Sequence, residues 1–204
     1  MNAAVDWSYA ARRVGARLVD DRDRALYRAL YSDPGVMAHV GAALAPAAVD
    51  ALFAKVCAAN ARTPAMARYW RVDDARGGGP IGQVSMLRDA ADPRCADLGV
   101  MLLPPWQNRG VGLSALAGLV DALLSDRWPL ALETLTARHA ADNPNAGRLT
   151  GALGFVVASA DAAQVLWRLD RRDWPQARAS WPAAALGRQG AAVAVASDRS
   201  GESA

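Results

Sequence analysis

A strand that runs through two prolines and a glycine-bearing turn into a long apolar helix constrains the fold of this chain more than any other stretch. Residues 97–103 carry an apolar strand pattern, and Pro104-Pro105 follows it directly. The prolines end the strand because neither can donate to a ladder, and each biases its predecessor away from helix. After the turn at 107–112, apolar residues recur at helical spacing to about Ser125.

The start of that helix is a candidate phosphate site. Gly110 and Gly112 leave its first turn without side chains, so unpaired N–H groups and the positive end of the helix dipole can approach an anion. Arg109 adds a positive charge at the same place. The turn is not a Walker A loop, because it has no Gly-Lys-Ser/Thr, and it does not complete a dinucleotide Gly-x-Gly-x-x-Gly.

Two motifs in sequence order resemble those of the GCN5-related N-acetyltransferase (GNAT) family. The turn 107–112 reads Gln-x-x-Gly-x-Gly and is similar to the family's acetyl-CoA loop. Residues 143–155, from an asparagine to a Gly-Phe pair, resemble its later Asn-x-x-Ser motif and helix. Stretches at 33–37 and 170–174 are similar to the RimJ/RimL-like branch, and the resemblance spans roughly 15–175.

The resemblance implies an α/β GNAT fold, in which a mixed central β-sheet is splayed between its middle strands and flanked by helices. The splay is expected between strands at 97–103 and 130–137. We predict one acetyltransferase domain over 1–178. Residues 179–204, rich in Ala, Gly and Ser, are predicted to form a mobile tail because this composition cannot bury a core.

The resemblance also implies acetyl-CoA as co-substrate and a set of residues that hold it. The main chain of Met101, Leu102 and Leu103 would bond the pantetheine arm, and so would the side chain of Asn143. The pyrophosphate would lie on Gln107, Asn108, Arg109, Gly110, Val111 and Gly112. Ala146 replaces the serine that the family usually has, which removes one hydrogen bond worth about 1 kcal/mol.

Transfer of an acetyl group to an amine needs a base, an oxyanion donor and a proton for the leaving thiolate. Asp97, at the head of the strand, is the first candidate for the base, and His139 is the alternative. A backbone N–H near Met101 or Leu102 could serve as oxyanion donor. Where many relatives carry a tyrosine acid this chain has Thr150, a poor acid, so solvent is left to supply the proton.

This sparse acid–base set favours an acceptor amine of low pKa. An α-amine has a pKa of roughly 8, whereas a lysine ε-amine at about 10.4 is neutral about one time in a thousand at physiological pH. A protein or peptide N-terminus is therefore the expected acceptor, in agreement with the RimJ/RimL-like branch. A small-molecule amine (polyamine, amino acid or aminoglycoside) and a non-catalytic CoA-binding module remain the alternatives.

The composition argues against several classes of binding partner. The net charge is only +3 and the arginines are spread along the chain, so no nucleic-acid partner is expected. No apolar run is long enough to span a bilayer, which predicts no membrane segment. Cys57 and Cys95 lack metal-binding spacing, so we expect no metal and a cytoplasmic setting. The protein could be a monomer or a homodimer.

Overall fold

The structure, a computed structural model, describes residues 5–125, 127–182 and 185 of the 204-residue chain. Its centre is an eight-stranded sheet in the order β1-β2-β3-β4-β5-β6-β8-β7, in which only β5 and β6 pair in parallel. The strands are β1 (Tyr9–Ala11), β2 (Val14–Leu18), β3 (Ala67–Asp74), β4 (Pro80–Arg88), β5 (Cys95–Leu102), β6 (Thr134–Ala140), β7 (Val156–Ala160) and β8 (Gln164–Asp170).

Helices flank the sheet, and the predicted fold class is confirmed. The helices are α1 (Arg24–Tyr31), α2 (Pro34–Met37), α3 (Pro46–Ala61), α4 (Val111–Leu124), α5 (Pro144–Ala152) and α6 (Trp174–Ser180). On one side, α1 and α3 build a small core with the sheet from Val19, Tyr27, Val49, Phe53 and Val56. No helix among the described residues is long and apolar enough to span a membrane.

The sheet opens between β5 and β6. Strand β5 pairs with β4 from Ala96 to Leu102, but it pairs with β6 only from Cys95 to Leu98. Beyond that point β6 continues along β8 as far as Ala140. The second half of β5 therefore has one unpaired edge, which is the predicted splay. Strand β6 itself begins at Thr134, later than the predicted Leu130.

Helix α4 is buried on all sides. Eleven of its fourteen residues are buried. The sheet covers one side, and the hairpin β1–β2 covers another: the Tyr9 hydroxyl donates to the Ala115 carbonyl at 3.0 Å. At Gly118 a Cβ atom would lie 2.8 Å from the Tyr9 ring, so the glycine allows the hairpin to seat directly on the helix. This double cover holds the N-terminus of α4 in a fixed position.

The folded part of the chain continues past Arg178, where we placed the domain boundary. Helix α6 ends at Ser180, and the Trp181 indole N–H donates to the Leu153 carbonyl at 2.9 Å. Trp181 and Ala185 are both buried in the main core. Residues 183–184 and 186–204 lie outside the described residues, so the mobile tail stays a prediction.

Trp181→Phe should lower the free energy of unfolding by about 1–3 kcal/mol, because it leaves the buried Leu153 carbonyl without its donor while keeping an aromatic ring in place. Urea denaturation followed by circular dichroism would measure this change. An unchanged midpoint would mean that the segment after α6 contributes nothing to the core.

Candidate active site

The unpaired edge of β5 offers backbone groups to a ligand. The Leu103 N–H bonds to the Ile81 carbonyl on β4 at 2.9 Å. Since backbone groups of an antiparallel strand alternate in direction, Met101 also points to β4, opposite Gln83. Val100 and Leu102 then point into the gap. Of the three predicted pantetheine contacts, Leu102 therefore faces the gap, whereas Met101 and Leu103 are turned toward β4. Val100 is the further residue of β5 that faces the gap.

The loop after β5 is shaped by two residues in the left-handed region, Asn108 at φ 57° and Gly110 at φ 72°. The Gln107 side chain donates to the Leu102 carbonyl at 2.9 Å, which ties the loop to the strand end. Helix α4 then begins at Val111 without a side-chain cap. Its first intrahelical bond runs from Ser114 N to Gly110 O at 3.2 Å, so the earlier N–H groups of the first turn can bind an anion.

Gly112 lies on the inner side of this helix start. A Cβ atom there would lie 3.1 Å from Leu149 of α5 and 3.4 Å from Leu102 of β5. The glycine thus lets α4 begin close to both neighbours of the gap. The loop and the gap therefore meet at Gly112. Arg109, in the loop before the helix, is exposed to solvent.

An arginine that sequence reasoning missed lies on the same loop. Arg13, in the turn between β1 and β2, donates from Nη1 to the Arg109 carbonyl. Residues 1–15 show no local pattern that predicts this contact. Sheet pairing and the packing of the β1–β2 hairpin on α4 bring the two segments together, 96 positions apart in sequence.

Helix α5 closes the far side of the gap. The Asn143 side-chain oxygen caps this helix by accepting from Ala146 N at 3.1 Å, which leaves its amide nitrogen as the group that can donate to a ligand. The Thr150 hydroxyl is buried and donates within the helix, to the carbonyls of Ala146 or Gly147 at 3.0 and 3.1 Å. Thr150 therefore offers no proton to a thiolate.

Asp97 is half-buried and lies on the sheet face that carries α1 and α3. Its neighbours Ala96 and Leu98 point the other way, into the main core. Burial raises the pKa of the Asp97 carboxyl, against the opposing effects of a hydrogen bond from Thr136 and the charge of Arg138. The Thr136 hydroxyl donates to Asp97 Oδ1 at 2.8 Å and fixes the carboxylate just before the gap opens. A carboxylate with a raised pKa is a better base than an ordinary one.

A row of polar side chains runs from Asp97 along the same face. Ser85 on β4 lies over Gly99, where a Cβ atom would come within 2.7 Å of its hydroxyl. Gln83 donates to the Tyr31 hydroxyl of α1 at 2.6 Å, and within the described residues its buried Oε1 has no partner. Polar residues at 83 and 85 in an otherwise apolar strand were the available sequence signal for this row, and the sequence reasoning did not use it.

His139 faces the opposite side of β6 from Asp97, toward α5. Its Nε2 accepts from the Trp167 indole N–H at 2.8 Å. Its Nδ1 lies 2.8 Å from the Ala140 carbonyl, to which it donates as the neutral tautomer. Both ring nitrogens are engaged, so this arrangement favours Asp97 over His139 as the base. Elsewhere in the described chain, no group of three or more His, Cys, Asp or Glu side chains could hold a metal ion.

Comparison with known proteins places this geometry in context. Residues 13–156 match the profile of a family described as the acetyltransferase (GNAT) domain. No curated protein sequence matches the chain.

Solved structures share the fold at low sequence identity. RimJ from Mycobacterium smegmatis, in complex with CoA-disulfide, is 17% identical over 86% of this chain and 91% of its own, with a TM-score of 0.69. Spermidine N-acetyltransferase from Vibrio cholerae, in complex with CoA and spermine, is 16% identical over 80% and 98%, with a TM-score of 0.67. FdhC, a nucleotide-linked sugar GNAT, is 13% identical over 84% and 94%, with a TM-score of 0.69.

Proposed function

Since the chain belongs to the GNAT family of acetyltransferases and uses acetyl-CoA as co-substrate, we propose that its acceptor is an α-amine at a protein or peptide N-terminus, as in the RimJ/RimL-like branch. The observation that carries this proposal is Asp97, a half-buried carboxylate fixed by Thr136 beside the gap.

The residues around the gap fit the cofactor. The uncapped first turn of α4 and the loop before it would hold the pyrophosphate, and the free edge of β5 at Val100 and Leu102 would pair with the pantetheine arm. The Asn143 amide would donate to the same arm from the other side. The bound cofactor supplies a thioester carbonyl that an amine can attack.

We then assign the base and the oxyanion donor to residues of this chain. Asp97 accepts the proton of the incoming amine, directly or through one water. A backbone N–H on the gap side of β5, at Val100 or Leu102, donates to the thioester oxygen as charge develops on it. Because the Thr150 hydroxyl is bonded within its helix, we assign the proton of the departing thiol to solvent.

Charge around Asp97 disfavours a polyamine acceptor. On the same sheet face, Arg168 of β8 lies opposite Thr136, and Arg138 follows two residues later on β6. Both arginines are exposed. Arg168 is paired with Asp170 at 2.8 Å, so Arg138 is the charge that would repel an acceptor with several positive charges. The single amine of a peptide N-terminus is partly neutral near physiological pH.

We expect thiol release from acetyl-CoA to be at least about 10-fold faster with peptides that carry a free N-terminus than with N-acetylated peptides that carry a lysine, at pH 7.5. The reason is the larger neutral fraction of the α-amine. A thiol-detection assay with a matched peptide panel and spermidine would measure it. Preference for spermidine would contradict the proposed acceptor, and binding of acetyl-CoA without thiol release for any amine would favour the non-catalytic module.

A further inference from the structure

The turn between β1 and β2 is anchored firmly against the cofactor loop. The Arg13 N–H donates to the Ser114 hydroxyl of α4 at 3.3 Å, and the Arg13 carbonyl accepts from Ala75 N at 3.0 Å. Ser114 is fully buried. With both backbone groups of Arg13 occupied, the direction in which its side chain leaves the turn is fixed.

That side chain reaches the start of α4. Its Nη1 donates to the Arg109 carbonyl, and a Cβ atom at Gly110 would lie 3.4 Å from the same nitrogen. A guanidinium has five N–H donors, so one bond to the loop leaves others for a ligand. The Arg13 guanidinium thus adjoins the residue that caps the helix.

The charge of the Arg13 guanidinium therefore lies at the positive end of a helix without a compensating carboxylate among the described residues. In the part of the chain that the structure describes, Arg13 and Arg109 form no ion pair with a carboxylate. Elsewhere the arginines of this protein commonly pair with aspartate, as Arg17 and Arg71 do with Asp23. Like charges beside a helix N-terminus raise the free energy of the site unless an anion binds there.

We propose that Arg13 is a cofactor-binding residue, whose guanidinium donates to the pyrophosphate of acetyl-CoA while its bond to the Arg109 carbonyl holds the loop in shape. The pyrophosphate is the assigned group because Arg13 lies at the N–H groups of the helix start, where that group binds. The proposal rests on the cofactor half of the proposed function and is independent of the acceptor, so it is tested by binding without an amine.

The test compares Arg13→Gln, Arg13→Lys and Arg94→Gln by calorimetry with CoA and with dephospho-CoA, which lacks the 3′-phosphate. Arg94 lies just before β5, at the other end of the strand from the loop, and its substitution controls for loss of one positive charge. Arg13→Gln should lower the affinity for both ligands roughly 10-fold or more, because a charge-assisted hydrogen bond is lost. Arg13→Lys should recover most of the affinity, and Arg94→Gln should match the unsubstituted protein.

Three results would overturn the assignment. Native affinity of Arg13→Gln for both ligands would show that the guanidinium does not bind the cofactor. A loss confined to CoA would place Arg13 at the 3′-phosphate instead. An equal loss for pantetheine, which has no phosphate, would show a structural effect only. If the unsubstituted protein bound none of these ligands, the cofactor half of the proposed function would fail as well.

Discussion

Replacing Gly110 with aspartate is expected to raise the Kd of acetyl-CoA roughly 100-fold or more. The new carboxylate would stand at the start of α4, beside Arg13, where we propose that the pyrophosphate binds. Two negative charges about 5 Å apart repel by about 3 kcal/mol at an effective dielectric constant of about 20, which is the source of the expected factor. Isothermal titration calorimetry with acetyl-CoA measures this change directly.

Gly110→Asn is the matched control for that experiment. Asparagine has the same shape as aspartate and tolerates the left-handed conformation that Gly110 adopts at φ 72°. We therefore expect it to weaken binding by only a few-fold. Equal losses in the two variants would mean that shape rather than charge governs the site, and native affinity of Gly110→Asp would remove the pyrophosphate from this loop.

Asp97→Asn is expected to lower turnover roughly 100-fold or more at pH 7, the size of effect that loss of a general base produces. The affinity for acetyl-CoA should hardly change, since Asp97 lies on the sheet face that carries α1 and α3 and not on the face that carries α4. The defect should shrink as pH rises, because the amine then loses its proton without help. Steady-state rates with a peptide acceptor, taken across pH, provide the measurement.

His139→Ala is the comparison that distinguishes the two candidate bases. Because the ring of His139 is held by Trp167 and the Ala140 carbonyl, its removal should cost far less turnover than Asp97→Asn. The opposite ranking, with both variants folded, would reverse the roles. If neither substitution mattered, the amine would be arriving neutral and the protein would act by positioning alone.

Asp97→Asn should leave the fold at least as stable as that of the unsubstituted protein at neutral pH. Burial raises the pKa of Asp97 in the folded state above its unfolded value, so ionisation is penalised on folding. This penalty is absent below the unfolded pKa, grows as pH rises through the folded pKa, and is complete above it. Asparagine avoids the penalty and can still accept the Thr136 hydrogen bond. Thermal melts of Asp97→Asn and of the unsubstituted protein at pH 7 would show whether the substitution lowers activity without lowering stability.

The end of β5, the turn after it and the start of α4 could be predicted because their signals are local, whereas the splay of the sheet was implied only by the resemblance to the family. Prolines at 104 and 105 end β5, and glycines at 110 and 112 define the turn and the start of α4. These residues act on backbone conformation within a few positions. Their effects do not depend on what packs against them.

Features that depend on pairing could not be read from the sequence. Which residues of β5 point into the gap depends on its register with β4, and the strand pattern is compatible with either phase. Arg13 reaches the loop only through sheet pairing and hairpin packing, and Trp167 reaches His139 only through the pairing of β6 with β8. Trp181 lies in a composition that predicts a tail, yet its indole N–H bonds deep in the core.

The hairpin over α4 also bears on how the chain folds. Its contacts with the helix join residues about a hundred positions apart, and closing so long a loop costs entropy before the contacts repay it. Until the hairpin docks, α4 exposes an apolar side of the kind that promotes aggregation. Docking also delivers Arg13, so the proposed anion site is complete only when the hairpin is in place. Acetyl-CoA bound there should therefore stabilise the finished fold and not its precursors, by an amount that grows with its concentration.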